Sequence, residues 1–272
     1  MTRPACIGNQ TAFSAASWRD PFDFAARHGL RAFEWFEDSR DGHGFEAGLI
    51  DELQAEQLRT RAAQAGIRFS VHAPWRADLR TQDGLNLALR SVELARRVGA
   101  EVLVVHIYAE PTIGRFAANL RPLAETAAQA GVGIAIENTV ETGPAELEQI
   151  ARCVNDLCSQ GRVGLCLDVG HANLHEPFRN RYLDYIAAIP PALPVMHVHL
   201  HENFGDRDAH LTPFTGPSAQ DPSGMANLVS FLAGRGFDGL VIMETWPQPA
   251  DLLLYAATRF REVASQHGLA VV

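Results

Sequence analysis

Three carboxylates close three strongly apolar segments: Glu137 ends GIAIE, Asp168 ends GLCLD and Glu244 ends LVIME. A carboxylate taken out of water needs a partner, because its desolvation is costly. The chain contains no lysine to supply one. Imidazoles recur at comparable places instead. His72 ends RFSVH, His106 ends VLVVH, His171 follows Asp168 in LDVGH, and His197, His199 and His201 alternate in HVHLH. Glu202, Asp208 and His210 lie just beyond. Carboxylates and imidazoles drawn together without an ammonium group call for a divalent cation. The lack of lysine also removes Schiff-base chemistry and a lysine base.

For these residues to meet, their segments must end on one rim. A local pattern recurs: a helical stretch ends in Gly, then a β-branched or apolar run begins. It is seen at Gly29, Gly66, Gly99, Gly131, Gly161 and Gly236, each read as a left-handed residue that closes a helix. With ACIG near the start and PVMHVHL after Pro194, eight strands are predicted, at about 5–8, 31–36, 67–72, 101–107, 132–138, 163–168, 194–200 and 239–244. Amphipathic helices, such as those over 85–98 and 251–266, lie between them. Strict alternation of strand and helix calls for a parallel sheet, and eight units favour an α/β fold closed as a (β/α)8 TIM barrel. The competing doubly wound open sheet loses ground because no GxGxxG follows the first strand. In a barrel the C-terminal strand ends form the active site, which is where the candidate ligands fall. Along HVHLH, the two-residue period places His199 level with the other ligands, His197 deeper as a packed core residue and His201 near the rim.

Bulk properties fit this reading. At 272 residues, 47% hydrophobic and 20% charged, the chain has the length and core of one barrel, expected as a single domain over 1–272. The opening MTRPACIG carries no apolar targeting run, and no stretch is apolar enough to span a bilayer. Four cysteines without a CxxC pair fit free thiols in a reducing cytoplasm, Cys166 among them as an inward-facing packing residue. A net charge of −9 with no basic block offers duplex nucleic acid no broad grip. Trp35, Trp75 and Trp246 follow or end apolar runs; they are read either as walls for the apolar face of a sugar ring or as packing under loops. Arg207, with Arg76 and Arg80, is read either as a contact for a substrate anion or as a surface charge.

The motifs AIEN, LDVGHAN, HVHLHEN with DAH downstream, and METW, in this order, resemble the xylose isomerase-like TIM-barrel superfamily. That group includes sugar isomerases and epimerases, inositol-pathway enzymes and the endonuclease IV repair enzymes. For the isomerases and epimerases the resemblance implies a single metal, often manganese, held by Glu137, Asp168, His199 and Glu244. It implies Glu137 and Glu244 as the acid/base pair, and His171 and Glu202 as contacts to substrate or to water on the metal. For the endonuclease IV group it implies three zinc ions on His72, His106, Glu137, Asp168, His171, His199, Asp208, His210 and Glu244. Xylose isomerase itself uses a lysine that this chain lacks; the loop EDSRDGHGFEAG is acidic on balance and the segment LTPFTGPSAQDPSG has no cation, whereas the repair enzymes hold DNA with basic loops. The expected function is therefore metal-dependent isomerisation or epimerisation of a small sugar or polyol-derived carbonyl compound through an enediolate. One ion (Mn, Zn, Mg or Fe) is favoured and up to three can be accommodated. The alternatives are a trinuclear zinc phosphoesterase and a non-catalytic metal-binding barrel, the latter opposed by the completeness of the ligand set. A homo-oligomer is left open.

Overall fold

A computed structural model describes residues 3–40, 42–108, 113–157 and 162–272. Its strands in chain order are β1 (Cys6–Gln10), β2 (Ala32–Phe36), β3 (Ser39–Arg40), β4 (His43–Gly44), β5 (Arg68–His72), β6 (Val102–His106), β7 (Gly133–Glu137), β8 (Val163–Asp168), β9 (Val195–Leu200) and β10 (Leu240–Met243). The helices are α1 (Asp20–His28), α2 (Glu52–Ala65), α3 (Gln82–Val98), α4 (Ile113–Gln129), α5 (Pro144–Leu157), α6 (Val169–Leu174), α7 (Tyr182–Ala187), α8 (Pro217–Gln220), α9 (Ser223–Gly234) and α10 (Leu252–Gln266). Eight strands close in the order β1-β10-β9-β8-β7-β6-β5-β2, every neighbouring pair parallel, so the expected (β/α)8 barrel is present. Strands β3 and β4 add a two-stranded antiparallel ribbon, which the sequence pattern does not announce.

The helix ends follow from the glycines: Gly29, Gly66, Gly99, Gly131 and Gly236 all have φ between 65° and 75°, the left-handed region a Cβ disfavours. Gly161 and Cys158 lie outside the described residues. The first strand runs on to Gln10, past the expected end at Gly8, because Asn9 pairs with Met243 and Gln10 with Glu34 in the parallel register.

The two faces of the strands carry different chemistry. Outward residues such as Phe33, Trp35, Phe69 and Val71 pack with Phe22, Phe24 and the helices in the main hydrophobic core. Inward residues change type along the barrel axis. At the floor stand Cys6, Ala32, Leu240 and Ile242 on one side and Val102, Val104, Ala135 and Cys166 on the other. Above them the same face carries Glu34, Ser70 and His197, and then His72, Glu137, Asp168 and His199, all buried. The barrel is thus filled by apolar side chains below and by acids and imidazoles above. Among the described residues no helix is long and apolar enough to cross a membrane.

Candidate metal centre

The parallel register sets the centre of the site. Asp168 of β8 pairs with His199 of β9, and Glu244, one residue past β10, follows the pairing of Ile242 with His199. His199 Nδ1 consequently faces three carboxylates: it lies 3.3 Å from Glu137 Oε2, 3.3 Å from Glu244 Oε1 and 3.8 Å from Asp168 Oδ2. Ligand atoms about 2.1 Å from a common ion stand about 3.0–3.4 Å apart, so the spacing is that of a coordination shell. His199 Nδ1 is buried and has no hydrogen-bond partner, a lone pair otherwise costly to leave unused. Donor chemistry, spacing and this orphaned atom all fit a divalent ion.

Two further clusters flank the centre. On one side His72 Nε2 lies 2.8 Å and His106 Nε2 3.4 Å from Glu137 Oε2. On the other, Asp208 Oδ2 stands 3.5 Å from His171 Nε2 and 3.0 Å from His210 Nε2, while His171 Nδ1 is 3.5 Å from Asp168 Oδ2. His210 is held in the left-handed region at φ 43°, a sparsely populated conformation for a residue with a side chain, by its Nδ1 bond to the Glu244 carbonyl and by Asp208. The structure therefore brings together all nine residues singled out as ligands of a three-ion site.

His201 stands just past the end of β9 yet is buried there, with Nε2 3.2 Å from Asp168 Oδ2, its ring stacked on His210 at 3.9 Å and packed on the backbone of Gly170, where a Cβ would come within 2.0 Å of it. His197 sits deep and buried, as its place on the strand implied.

The residues read two ways, and Glu202, are placed by their surroundings. Trp35 is fully buried on the outer face of β2 among Trp18, Phe22, Phe33 and Phe45, because the inward position of that strand belongs to Glu34. It walls no pocket. Trp75 is 54% exposed and lies outside the cleft lining, its carbonyl accepting from the Tyr108 hydroxyl. Arg207 is exposed beside a separate groove with Arg179 and Asp206. Arg76 is exposed, and Arg80 forms an ion pair with Asp78 at 2.8 Å. Glu202 is turned away from the metal cluster and ties down its own loop, accepting from the backbone N–H of Phe214 and Gly216 and from the Ser218 hydroxyl. Trp246 does line the cleft, edge-on to Phe24. This cleft encloses about 530 Å³ over His72, His106, His171 and Glu244. Arg40 and Asp38, from the ribbon and its approach, stand at the same opening, as does Phe13.

Two supporting residues were not anticipated. Glu34, fully buried, faces His197 and His199 from beneath. The signal was available, since AFEWF sets a carboxylate on the inward face between Ala32 and Phe36. Asn138 locks β7 to β8: its side chain accepts from the Asp168 N–H and donates to the Asp168 carbonyl, both at 2.9 Å.

The metal-free electrostatics divide the acids. Burial alone would raise the pKa of Glu137, but the charges of His106 and His199 outweigh it and hold the carboxyl well below its ordinary value. Asp168, against the same burial, is lowered to about 2 by His171 and His201. Glu244 moves the other way, raised by burial and by the charges of Asp168 and Glu137 despite His199 and His210. Burial keeps the Cys166 thiol protonated, so the raised proton affinity of His199 rests on Glu244, Glu34 and Glu137. His171 is raised too, and His210 reaches about 9 through its bond to Asp208 and the nearby acids, both against the cost of burial.

A pH test follows. Raised histidines contribute stability below about pH 6.5 and lose it as pH climbs through their folded values, about 9 for His210. Asp168 contributes above its ordinary value and loses this as pH falls toward 2. Metal-free protein should therefore be most stable between about pH 4 and 6.5 and decline toward pH 9. A bound ion needs those imidazoles deprotonated, so the rise in unfolding temperature on adding zinc should grow with pH. An equal rise at acid and alkaline pH, read by scanning fluorimetry, would remove the histidines from the binding site.

A family model described as xylose isomerase-like TIM barrel matches residues 22–270. The uncharacterised protein y4fM of Sinorhizobium fredii is 25% identical over 240 residues, 73% of each chain. D-psicose 3-epimerase from Clostridium cellulolyticum, solved with D-tagatose, superposes with a TM-score of 0.67 at 13% identity, over 98% of this chain and 100% of that one. The TTHB071 protein from Thermus thermophilus, soaked with zinc chloride, gives 0.67 at 21% identity over 96% and 98%. IolI with a bound zinc atom gives 0.69 at 17% identity over 96% and 99%. Such identities carry the fold and no more. The family match spans almost the whole chain and falls on a closed barrel whose acids and imidazoles gather at one end, so the protein belongs to the xylose isomerase-like TIM-barrel family.

Proposed function

We propose that the protein is a divalent-metal-dependent isomerase or epimerase of a small sugar or polyol-derived carbonyl compound, moving a proton through an enediolate. The observation that carries this reading is the convergence of Glu137, Asp168 and Glu244 on the unpartnered Nδ1 of His199 at the base of the cleft. Those four side chains would hold the ion, which when bound supplies Lewis acidity toward the substrate carbonyl. Glu137 and Glu244, each with a carboxylate oxygen 3.3 Å from His199 Nδ1, are suited to exchange the proton beside that carbonyl, one taking it and the other returning it. Trp246, Phe36 and Phe13 give the cleft an apolar side, and His72, His106 and His171 line it with imidazoles. The cleft volume suits one small molecule. The sugar epimerase among proteins of the same fold lends support.

The test is solvent exchange. Metal-loaded protein incubated in D2O with a panel of ketoses and inososes should place deuterium on the carbon beside the carbonyl of at least one, with isomer formation. No exchange across the panel from protein shown to hold its ion would overturn the reading.

The clusters His72–His106–Glu137 and His171–Asp208–His210 favour a second reading, a trinuclear phosphoesterase. Against it stands the cleft mouth, where Arg40 is already paired with Asp38 at 3.1 Å and the chain has no lysine. Binding to duplex DNA with an abasic site should accordingly be weak at physiological salt, with little counterion release. Submicromolar affinity that falls steeply as salt rises would promote the phosphoesterase.

A further inference from the structure

We infer that Glu34 is a positioning residue that fixes which nitrogen of His199 is offered to the metal, an assignment resting on the metal site proposed above. Glu34 is 0% exposed at the centre of β2, one layer below the ligand cluster. An ionised carboxylate at such depth is costly unless its oxygens are engaged. Among the described residues its ion-pair partners are two imidazoles and no guanidinium. Oε1 accepts from His199 Nε2 at 3.0 Å. Oε2 accepts from the Ser70 hydroxyl at 2.9 Å and stands 2.9 Å from His197 Nε2.

The consequence falls on the far side of the His199 ring. With Nε2 carrying the hydrogen donated to Glu34, Nδ1 is left to present its lone pair to Glu137, Glu244 and Asp168. The ring plane is set between His72, stacked at 5.4 Å and 12°, and His197, edge-on at 5.1 Å and 82°. A half-turn within that plane would set ring carbons against both Glu34 and the three acids, so only the observed orientation gives each side a nitrogen. Glu34 therefore selects the tautomer, raises the basicity of the ligand nitrogen and is not itself offered to the ion.

The experiment uses the full chain, chelator-stripped and reloaded with zinc, and reads ¹⁵N resonances of the histidines together with zinc affinity by competition. In the wild type, His199 should show metal-bound Nδ1 and protonated Nε2; a metal-bound Nε2 would overturn the assignment without any variant. Glu34→Gln keeps an acceptor but loses the charge, and should weaken zinc about 10-fold; Glu34→Leu, which removes the acceptor, should weaken it about 100-fold. Ser70→Ala removes a donor from the same carboxylate without touching His199 and should leave affinity unchanged. A folded Glu34→Leu protein with wild-type affinity would overturn the assignment alone. A wild-type chain that takes up no zinc would overturn the metal site along with it. If Glu34→Leu does not fold, the wild-type spectrum and Glu34→Gln still decide.

Discussion

Glu244→Gln is expected to lower turnover by about 10³-fold or more, since in the proposed mechanism it removes a metal ligand and one half of the acid/base pair in a single change. The amide keeps the shape of the side chain, which is 6% exposed. It cannot ionise, and its oxygen is a weaker ligand for the ion than the carboxylate 3.3 Å from His199 Nδ1. The stability readout separates this from simple damage. In the metal-free protein Glu244 stands among Glu137 and Asp168, which together with burial disfavour its charged form. A group whose folded pKa is raised as an acid destabilises the fold once pH exceeds its ordinary value, so the neutral amide should hold or raise the metal-free unfolding temperature near pH 7. In metal-loaded protein the same change should lower it. Wild-type turnover on the eventual substrate would remove Glu244 from the mechanism, and a collapsed metal-free unfolding temperature would recast it as structural.

The sequence was most informative where one force acts alone. Helix-closing glycines and two-sided apolar strands are local signals, and they located every barrel strand. The ends of GIAIE, GLCLD and LVIME were legible because a carboxylate that closes an apolar run is carried into the interior with it, and there it must find a cation. Trp35 was left open between pocket and packing because a tryptophan near a strand end serves both equally well by type; only the alternation Ala32, Glu34, Phe36 decides, and it gives the inward face to Glu34. The same alternation would have found Glu34 itself. His201 and Glu202 were set by contacts no local pattern encodes, one by its packing on Gly170 and the other by backbone donors twelve and fourteen residues away. The β3–β4 ribbon is too short to carry a periodicity.

Removal and return of metal should give the largest change in stability and the clearest count. The central site has Glu137, Asp168 and His199 almost wholly withdrawn from water, with side chains 1% exposed or less. The flanking sites are more open: His106 is 19% exposed, and Asp208 and His210 are each 38% exposed. An ion in the outer positions keeps more of its water and contends with it for ligands, so it should leave first. Three carboxylates and one imidazole make a mostly hard set that suits Mn²⁺ or Mg²⁺ as well as Zn²⁺, whereas the imidazole-rich flanks lean toward zinc. Elemental analysis after gel filtration should therefore find one ion per chain. Titration of stripped protein to about 100 times the dissociation constant should add about 2.7 kcal/mol, or about 5–11 °C in unfolding temperature for a chain of this size. His72→Ala and His210→Ala should each leave the count at one. Three ions in the wild type, falling to two or fewer in either variant, would defeat the single-metal isomerase in favour of the phosphoesterase. No retained ion under any loading condition would defeat both, because the buried acids around His199 would then have to be held by protons and imidazoles alone.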